Sequence, residues 1–140
     1  MYYPKKNTGM TLVEVITSLM LITLVIGGFL GLLLENIKAG ETIDYNYVAI
    51  NIAKSRMDRI RELRRDKGFS YLSTATENDT TVDRNGLPDV NGDFTRTTAI
   101  STSFAGKPNL TKVTVTVKYK RLGDVSTTTI TLTSLISPYI

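Results

Sequence analysis

The clearest candidate for chemistry in this 140-residue chain is one carboxylate, that of Glu14. It is the only charged side chain between Met10 and Leu34, in a segment that is otherwise uncharged and largely apolar. A carboxylate costs on the order of 2.5–3.5 kcal/mol at the centre of a bilayer, so its presence predicts a partner. Two roles are open. Thr11 and Glu14 have the spacing of a capping box at a helix start, or the carboxylate pairs with a cation from another chain.

A second group of oxygen-bearing side chains lies in the polar stretch from 83 to 93. Its members are Asp83, Asn85, Asp89, Asn91 and Asp93. The alternation at 89, 91 and 93 is similar to the start of an EF-hand calcium loop, but Phe94 replaces its glycine and Ile100 its bidentate glutamate. Asn-Gly and aspartate-rich stretches also form turns without metal. We interpret the stretch as a turn, with calcium as the alternative and as the one candidate cofactor.

The residue types that enzymes use most are missing. The chain has no histidine and no cysteine, which removes the commonest general base, the commonest zinc ligand and any thiol nucleophile. It contains neither a Gly-x-Ser-x-Gly elbow nor a Ser-x-x-Lys pair. We therefore expect a non-enzymatic protein whose fold is stable without disulfides.

The one basic cluster of the sequence lies between 54 and 67. Its members are Lys54, Arg56, Arg59, Arg61, Arg64, Arg65 and Lys67. Asp58, Glu62 and Asp66 interrupt it at every fourth position, a spacing typical of ion pairs on a helix surface. DNA binding needs such a patch, but no aromatic side chains alternate with these cations to stack on bases. The cluster is interpreted as a solvated or subunit-contacting helix face, with nucleic acid as an unlikely partner.

The element that must position Glu14 is a membrane span. The twenty residues from Val15 to Leu34 carry no charge, and a helix of that length covers about 30 Å, the thickness of a hydrocarbon core. Lys5 and Lys6 precede it without any acid, so the positive-inside rule keeps the N-terminus cytoplasmic and exports the remainder. Gly27 and Gly31 form a small-xxx-small pair that favours helix packing, although glycine is also simply tolerated in membrane helices.

Three fates of such an N-terminus compete. A cleaved secretory signal is disfavoured, because the apolar core is longer than the usual length of about 7–15 residues and no small-residue cleavage site follows it. An uncleaved anchor of a periplasmic binding or sensory domain fits the hydropathy but gives Gly9 and Glu14 no function. A processed subunit precursor accounts for both residues.

The segment Gly9-Met10-Thr11-Leu12-Val13-Glu14 resembles the processing site of type IV prepilins and type II secretion pseudopilins. A short basic leader ends in glycine, a large apolar residue follows, and glutamate is the fifth residue after the junction. Residues 25–32 and 49–61 are similar to PilV-type minor pilins and I-type minor pseudopilins. Many major pilins close a C-terminal loop with a disulfide, so the absence of cysteine fits a minor subunit better.

The resemblance implies a sequence of events. A prepilin peptidase would cut between Gly9 and Met10 and methylate the amino group of Met10, and Glu14 would pair with the amino terminus of a neighbouring subunit. The implied partners are other major and minor pilins or pseudopilins, an inner-membrane assembly platform, and membrane lipid before assembly. The implied locations are the inner membrane, with the C-terminal domain periplasmic, and then a filament in the periplasm or at the cell surface. A DNA-binding competence pilin is the lesser alternative.

The fold class expected is α+β, a pilin fold with a long N-terminal helix on an antiparallel sheet of three or more strands. The organisation predicted is a leader over 1–9, a membrane and filament-core helix over 10–34 and a globular domain over 35–140. An apolar stripe at helical spacing predicts that the helix continues to Lys67-Gly68. Its members are Ile43, Tyr47, Ile50, Ala53, Met57, Ile60 and Leu63. A polar connection, mobile or with a short strand near Thr80–Val82, is predicted over 70–93, and the sheet over 94–136.

Within that sheet the alternation predicts a strand over Lys112–Leu122 and a hairpin at Gly123-Asp124. This turn would place Val117 opposite Ile130 and Val115 opposite Leu132. A third strand is predicted over Phe94–Phe104.

Overall fold

A computed structural model describes residues 9–121 and 126–138. The elements follow one another as α1 (Leu12–Lys67), a 3-10 helix (Phe69–Ala75), β1 (Glu77–Val82), β2 (Phe94–Ser101), a 3-10 turn (Phe104–Gly106), β3 (Thr111–Tyr119) and β4 (Thr128–Ile136). The chain divides into two compact units, Met1–Glu41 and Thr42–Ile140. The α1 helix contributes to both units.

The described part of the first unit is helical from Leu12, and its large apolar residues are all exposed, by 42% to 77%. The α1 helix, which begins in this unit, is the one described helix that is long and apolar enough to cross a membrane. The hydroxyls of Thr17 and Thr23 donate to the carbonyls of Val13 and Leu19, at 2.9 and 3.0 Å. These polar groups are thereby satisfied within the helix, as a lipid environment requires.

The second unit contains a four-stranded antiparallel sheet in the order β1-β2-β3-β4. Val117 lies opposite Ile130 and Val115 opposite Leu132, so the predicted register is confirmed. The register is continuous from Thr111–Ile136 to Tyr119–Thr128. The predicted turn at Gly123-Asp124 lies outside the described residues.

The C-terminal half of α1 packs on this sheet and forms the core. Five helix residues are buried there, Ala49, Ile52, Ala53, Met57 and Ile60. They meet the inward-facing side chains of the strands, which are Val82, Phe94, Val113, Val115, Val117, Tyr119 and Ile136. The rings of Tyr45, Phe94 and Tyr119 lie 5.5–5.7 Å apart at one end of this core. The predicted α+β class is confirmed, with four strands.

The helix ends where the sequence predicts. Gly68 has φ +92°, and its N–H donates to the carbonyl of Arg64 at 2.9 Å. A side chain at a φ this positive is strained, so glycine suits the position.

Three expectations need correction. Ile43, Tyr47 and Ile50 do not face the sheet but are exposed, because the buried stripe is shifted and runs through Tyr45, Ala49 and Ile52. The third strand ends at Ser101 rather than Phe104, where the chain turns. The connection over 70–93 contains the predicted short strand at Thr80–Val82, but this strand is longer, Glu77–Val82, and a 3-10 helix that was not predicted precedes it.

Candidate functional site

The residues around Glu14 form the start of α1. The Thr11 hydroxyl accepts a hydrogen bond from the Glu14 N–H at 3.3 Å, and the Thr11 carbonyl accepts one from Val15 at 3.2 Å. The Thr11 half of the predicted capping box is therefore present. The Glu14 carboxylate is exposed, and within residues 9–121 and 126–138 no cation or hydrogen-bond donor contacts it.

Gly9 and Met10 precede this helix and are also exposed. The junction between them is therefore not covered by any described part of the chain. Lys5 and Lys6, the predicted leader charges, lie outside the described residues.

The helix surface at Gly27 and Gly31 is open among the described residues. A Cβ atom built on either glycine meets nothing within 4 Å. Packing inside the single chain therefore does not require glycine at these positions. Close approach of a second helix stays a prediction.

The candidate calcium loop is organised by aspartates that bind backbone N–H groups. Asp83 Oδ1 accepts from Asn85 and Leu87 at 2.9 and 2.8 Å, and Asp89 Oδ1 accepts from Asn91 at 2.9 Å. The hydrogen bond from Leu87 is the main cause that lowers the pKa of Asp83. Within the described ranges no three acidic side chains gather in a metal-binding group. The geometry is that of two Asx turns, which leaves calcium a prediction without structural support.

The same loop is fixed to the helix and to β1. Arg84 pairs with Asp44, and its guanidinium lies 5.4 Å from the centre of the Tyr45 ring. A Cβ atom on Gly92 would lie 2.1 Å from the Val82 carbonyl oxygen, so only glycine fits there. The loop is thus an ordered part of the second unit.

A charged cluster that the sequence analysis missed lies between α1 and the sheet. The Glu77 carboxylate accepts two hydrogen bonds from Arg96, one from Nε at 2.9 Å and one from Nη2 at 3.1 Å. It also forms an ion pair with Arg56, whose Nε lies 3.1 Å away. Arg56 Nη2 donates to the Ala75 carbonyl and Arg96 Nη1 to the Gly86 carbonyl, both at 2.8 Å. The cluster thereby joins α1, the 3-10 helix, the strands β1 and β2, and the loop.

This cluster contains two cationic side chains and one acidic side chain, and all three are largely buried. The side chains of Arg56 and Arg96 are only 12% and 7% exposed, and that of Glu77 is 20% exposed. Burial is the main cause that lowers the pKa of Arg56, and Glu77 opposes it. The three side chains contribute to the lining of a cavity of about 630 Å³. The sequence signal was available, because Arg96 stands at an inward position between Phe94 and Thr98 in β2.

The basic run over 54–67 divides among several environments. Arg56 belongs to the buried cluster, and Arg61 pairs with Asp58 at 2.9 Å on the surface. Arg61 also donates to the Ser134 hydroxyl at 3.3 Å, and Arg64 donates to the Ser137 carbonyl at 2.7 Å. The run is therefore not one uniform wet face, because part of it lies against the end of β4.

No family model, curated protein or solved structure matches this chain. The functional argument therefore depends on the residues and contacts described above.

Proposed function

We propose that this chain is a non-enzymatic minor pilin or pseudopilin subunit. In this proposal, the helix from Met10 to Leu34 holds it in the inner membrane until prepilin peptidase cuts after Gly9. It then assembles with related subunits in the tip or initiation complex of a type IV pilus or a type II secretion pseudopilus. The observation that carries the proposal is Glu14, an exposed carboxylate without an intrachain partner among the described residues, in the first turn of an exposed apolar helix.

The electrostatic reason is the cost of a bare charge in an apolar surrounding. Breaking a buried ion pair by removing one partner costs about 3–5 kcal/mol, so an unpaired Glu14 in a helical core is unfavourable. Cleavage at Gly9 creates an amino group at the start of every mature subunit. The amino terminus of a neighbour is therefore a suitable partner for Glu14.

A second observation supports assembly over a simple anchor. Ile43, Tyr47 and Ile50 recur at helical spacing on α1 in the second unit, and the side chains of the first two are 70% and 65% exposed. Such a row beyond the membrane span gains from being covered. Packing of subunit helices would cover it, whereas an isolated anchored domain would leave it in water.

Intact mass of the full chain, extracted from membranes of cells that contain prepilin peptidase, tests the processing step. We expect loss of Met1 to Gly9 and the addition of one methyl group. A chain that keeps all nine residues under these conditions contradicts the proposal and favours the anchored binding or sensory domain.

The role of Glu14 needs a separate comparison. Glu14→Gln keeps the size and hydrogen-bonding capacity of the side chain but removes its charge, while Glu14→Asp keeps the charge on a shorter stem. We expect the first variant to be processed normally and recovered in filaments at least tenfold less, and the second to retain part of its assembly. Full incorporation of Glu14→Gln would contradict the intermolecular pairing.

A further inference from the structure

The β4 strand is an open edge of the sheet. Its nine residues contain no charged side chain and no proline, and its register with β3 runs without a bulge. Among the described residues, no backbone group outside β3 pairs with it. An edge strand presents every second N–H and C=O to its surroundings, and natural proteins usually protect such an edge with charges, proline or a bulge. The β4 strand has none of these protections.

The opposite edge of the same sheet is protected. The β1 strand is only six residues long, and its register with β2 shifts between Glu77 and Thr80. Asp79 at this irregularity has φ +40° and carries a charge. An isolated bridge from Val82 to Pro88 covers the end of the strand. The contrast between the two edges indicates that β4 is left open for a partner.

A basic cavity lies beside the C-terminal end of β4. It has a volume of about 270 Å³ and is lined by Arg61, Arg64, Arg65 and residues 134–137. Arg61 and Arg64 contact Ser134 and Ser137 there, as described above. The end of an uncharged strand is therefore flanked by three arginines, of which Arg61 is paired with Asp58, and their excess positive charge attracts an acidic group on a strand that lies along β4.

We propose that β4 accepts an added antiparallel strand from another subunit, and that this strand carries acidic residues where it passes Ser134 to Ile136. Backbone hydrogen bonds along the edge would supply affinity, and the arginines would fix the register and select an acidic sequence. Antiparallel addition is favoured because it is the more stable ladder. In that direction the acidic residues stand at the N-terminal end of the added strand.

A second copy of this chain is a poor occupant. Antiparallel pairing of β4 with β4 of a copy would relate the two copies by a two-fold axis perpendicular to the sheet. The helix segments that begin at residue 42 would then run in opposite directions in the two copies. The two copies could then not be anchored in the same membrane, which excludes this pairing; the exclusion rests on the proposed function. Pairing of β4 with β1 of a copy would preserve direction, but β1 has the bulge, the acid and the bridge. The occupant is therefore a strand of a different protein.

The probe is a pair of nine-residue peptides with blocked termini and identical composition. Both alternate threonine and valine, and they differ only in whether two glutamates stand at the N-terminal or the C-terminal end. Each is added to the full chain in detergent micelles, and hydrogen exchange of residues 128–136 is followed by mass spectrometry. We expect the peptide with N-terminal glutamates to protect β4 and to bind at least fivefold more tightly than the other. Equal binding of the two, or tighter binding of the second, overturns the proposal.

Two double variants separate addition at the edge from docking on the sheet face. Thr131→Asp with Thr133→Asp places charges on the edge strand, and Thr116→Asp with Thr114→Asp places the same charges on their register partners in β3. We expect at least a tenfold loss of peptide binding in the first variant and less than a threefold loss in the second. Equal losses mean docking on the face and overturn the proposal.

The charge selection is tested on the helix. Arg65→Glu should remove the preference for N-terminal glutamates, whereas Lys54→Glu, about three turns away, should leave it. An unchanged preference in Arg65→Glu contradicts the role of the cavity. None of these measurements uses filaments or prepilin peptidase, so their failure is distinguishable from failure of the proposed function.

Discussion

Glu77 is the residue on which the contacts of the buried charged cluster converge. It is the acid that contacts both Arg56 and Arg96, and its carboxylate also accepts from the Thr98 hydroxyl at 3.1 Å. Removing the acid from a buried ion pair leaves uncompensated charge, and here two guanidinium groups would then repel each other.

We expect Glu77→Gln to lower the free energy of unfolding of the second unit by about 2–3 kcal/mol, somewhat under the usual cost because the side chain is partly exposed. Urea unfolding of the full chain in detergent micelles measures this. The control is Asp58→Asn, which breaks an exposed pair and should change the free energy by less than about 1 kcal/mol. Equal effects of both variants would show that the buried cluster is not a stabilising element.

Asp83 gives the loop a dependence on pH. Its pKa is lowered mainly by the hydrogen bond from the Leu87 N–H, so its folded-state pKa lies below that of an unfolded aspartate, about 3.9. A depressed carboxyl pKa means that the turn is fully stabilised above the unfolded value and loses that stabilisation as pH falls through the folded one. We expect the amide signal of Leu87 in NMR spectra to shift only below about pH 4. Asp83→Asn keeps an Asx turn without the ionisation and should abolish that shift.

At the scale of single residues the sequence predicted local contacts better than distant ones. The Thr11 cap and the turn at Asp83 involve partners within four positions, so their spacing could be read directly. The Glu77 cluster joins positions 19 and 21 residues apart, and its partners are set by how the strands lie. Only the inward position of Arg96 could have indicated a buried charge.

At the scale of elements, α1 has two apolar rows with different tasks. One row includes Ala49, Ile52 and Ile60 and is buried against the sheet. The other contains Ile43, Tyr47 and Ile50 and faces away from the core. The period of 3.6 residues predicted an apolar row but could not decide which of two adjacent rows meets the sheet.

The two rows should respond differently to substitution. Ile60→Ala removes buried methyl groups and should lower the free energy of unfolding by about 2–5 kcal/mol. Ile43→Ser together with Tyr47→Ser should change it by less than about 1 kcal/mol but reduce recovery of the subunit in filaments. Urea unfolding and the amount of subunit in sheared filaments measure the two effects. Normal assembly of the double variant would mean that the exposed row is not a subunit contact.

The sheet shows the same limit of sequence patterns. The alternating valines of β3 and the apolar positions of β4 predicted both strands and their register, since a slip of one residue would turn every valine outward. The β1 strand was not predicted in full because its sequence, Glu-Asn-Asp-Thr-Thr-Val, is polar and does not alternate. It is held by the Glu77 contacts and by pairing with β2, neither of which leaves a local signal.

At the scale of the whole molecule, the two units suit different solvents. The described part of the first unit buries none of its apolar side chains, whereas the second has a closed core of helix and sheet. In the sequence, the change from an uncharged run to a charged amphipathic pattern occurs within one helix, after Leu34, whereas the two units divide after Glu41. The partners of the first unit stay a proposal, since they lie in other molecules.

The orientation that we propose for the chain in the membrane can be measured because the sequence contains no cysteine. We expect Asn109→Cys, in the turn before β3, to react with a membrane-impermeant maleimide in intact spheroplasts. Asn7→Cys, in a strain that lacks prepilin peptidase and therefore keeps the leader, should react only after the membrane is disrupted. Lys5 and Lys6 supply the physical reason, since cytoplasmic retention of positive charge orients the span. The reverse pattern would place the sheet in the cytoplasm, where neither an exported filament nor addition of a strand from another exported subunit could occur.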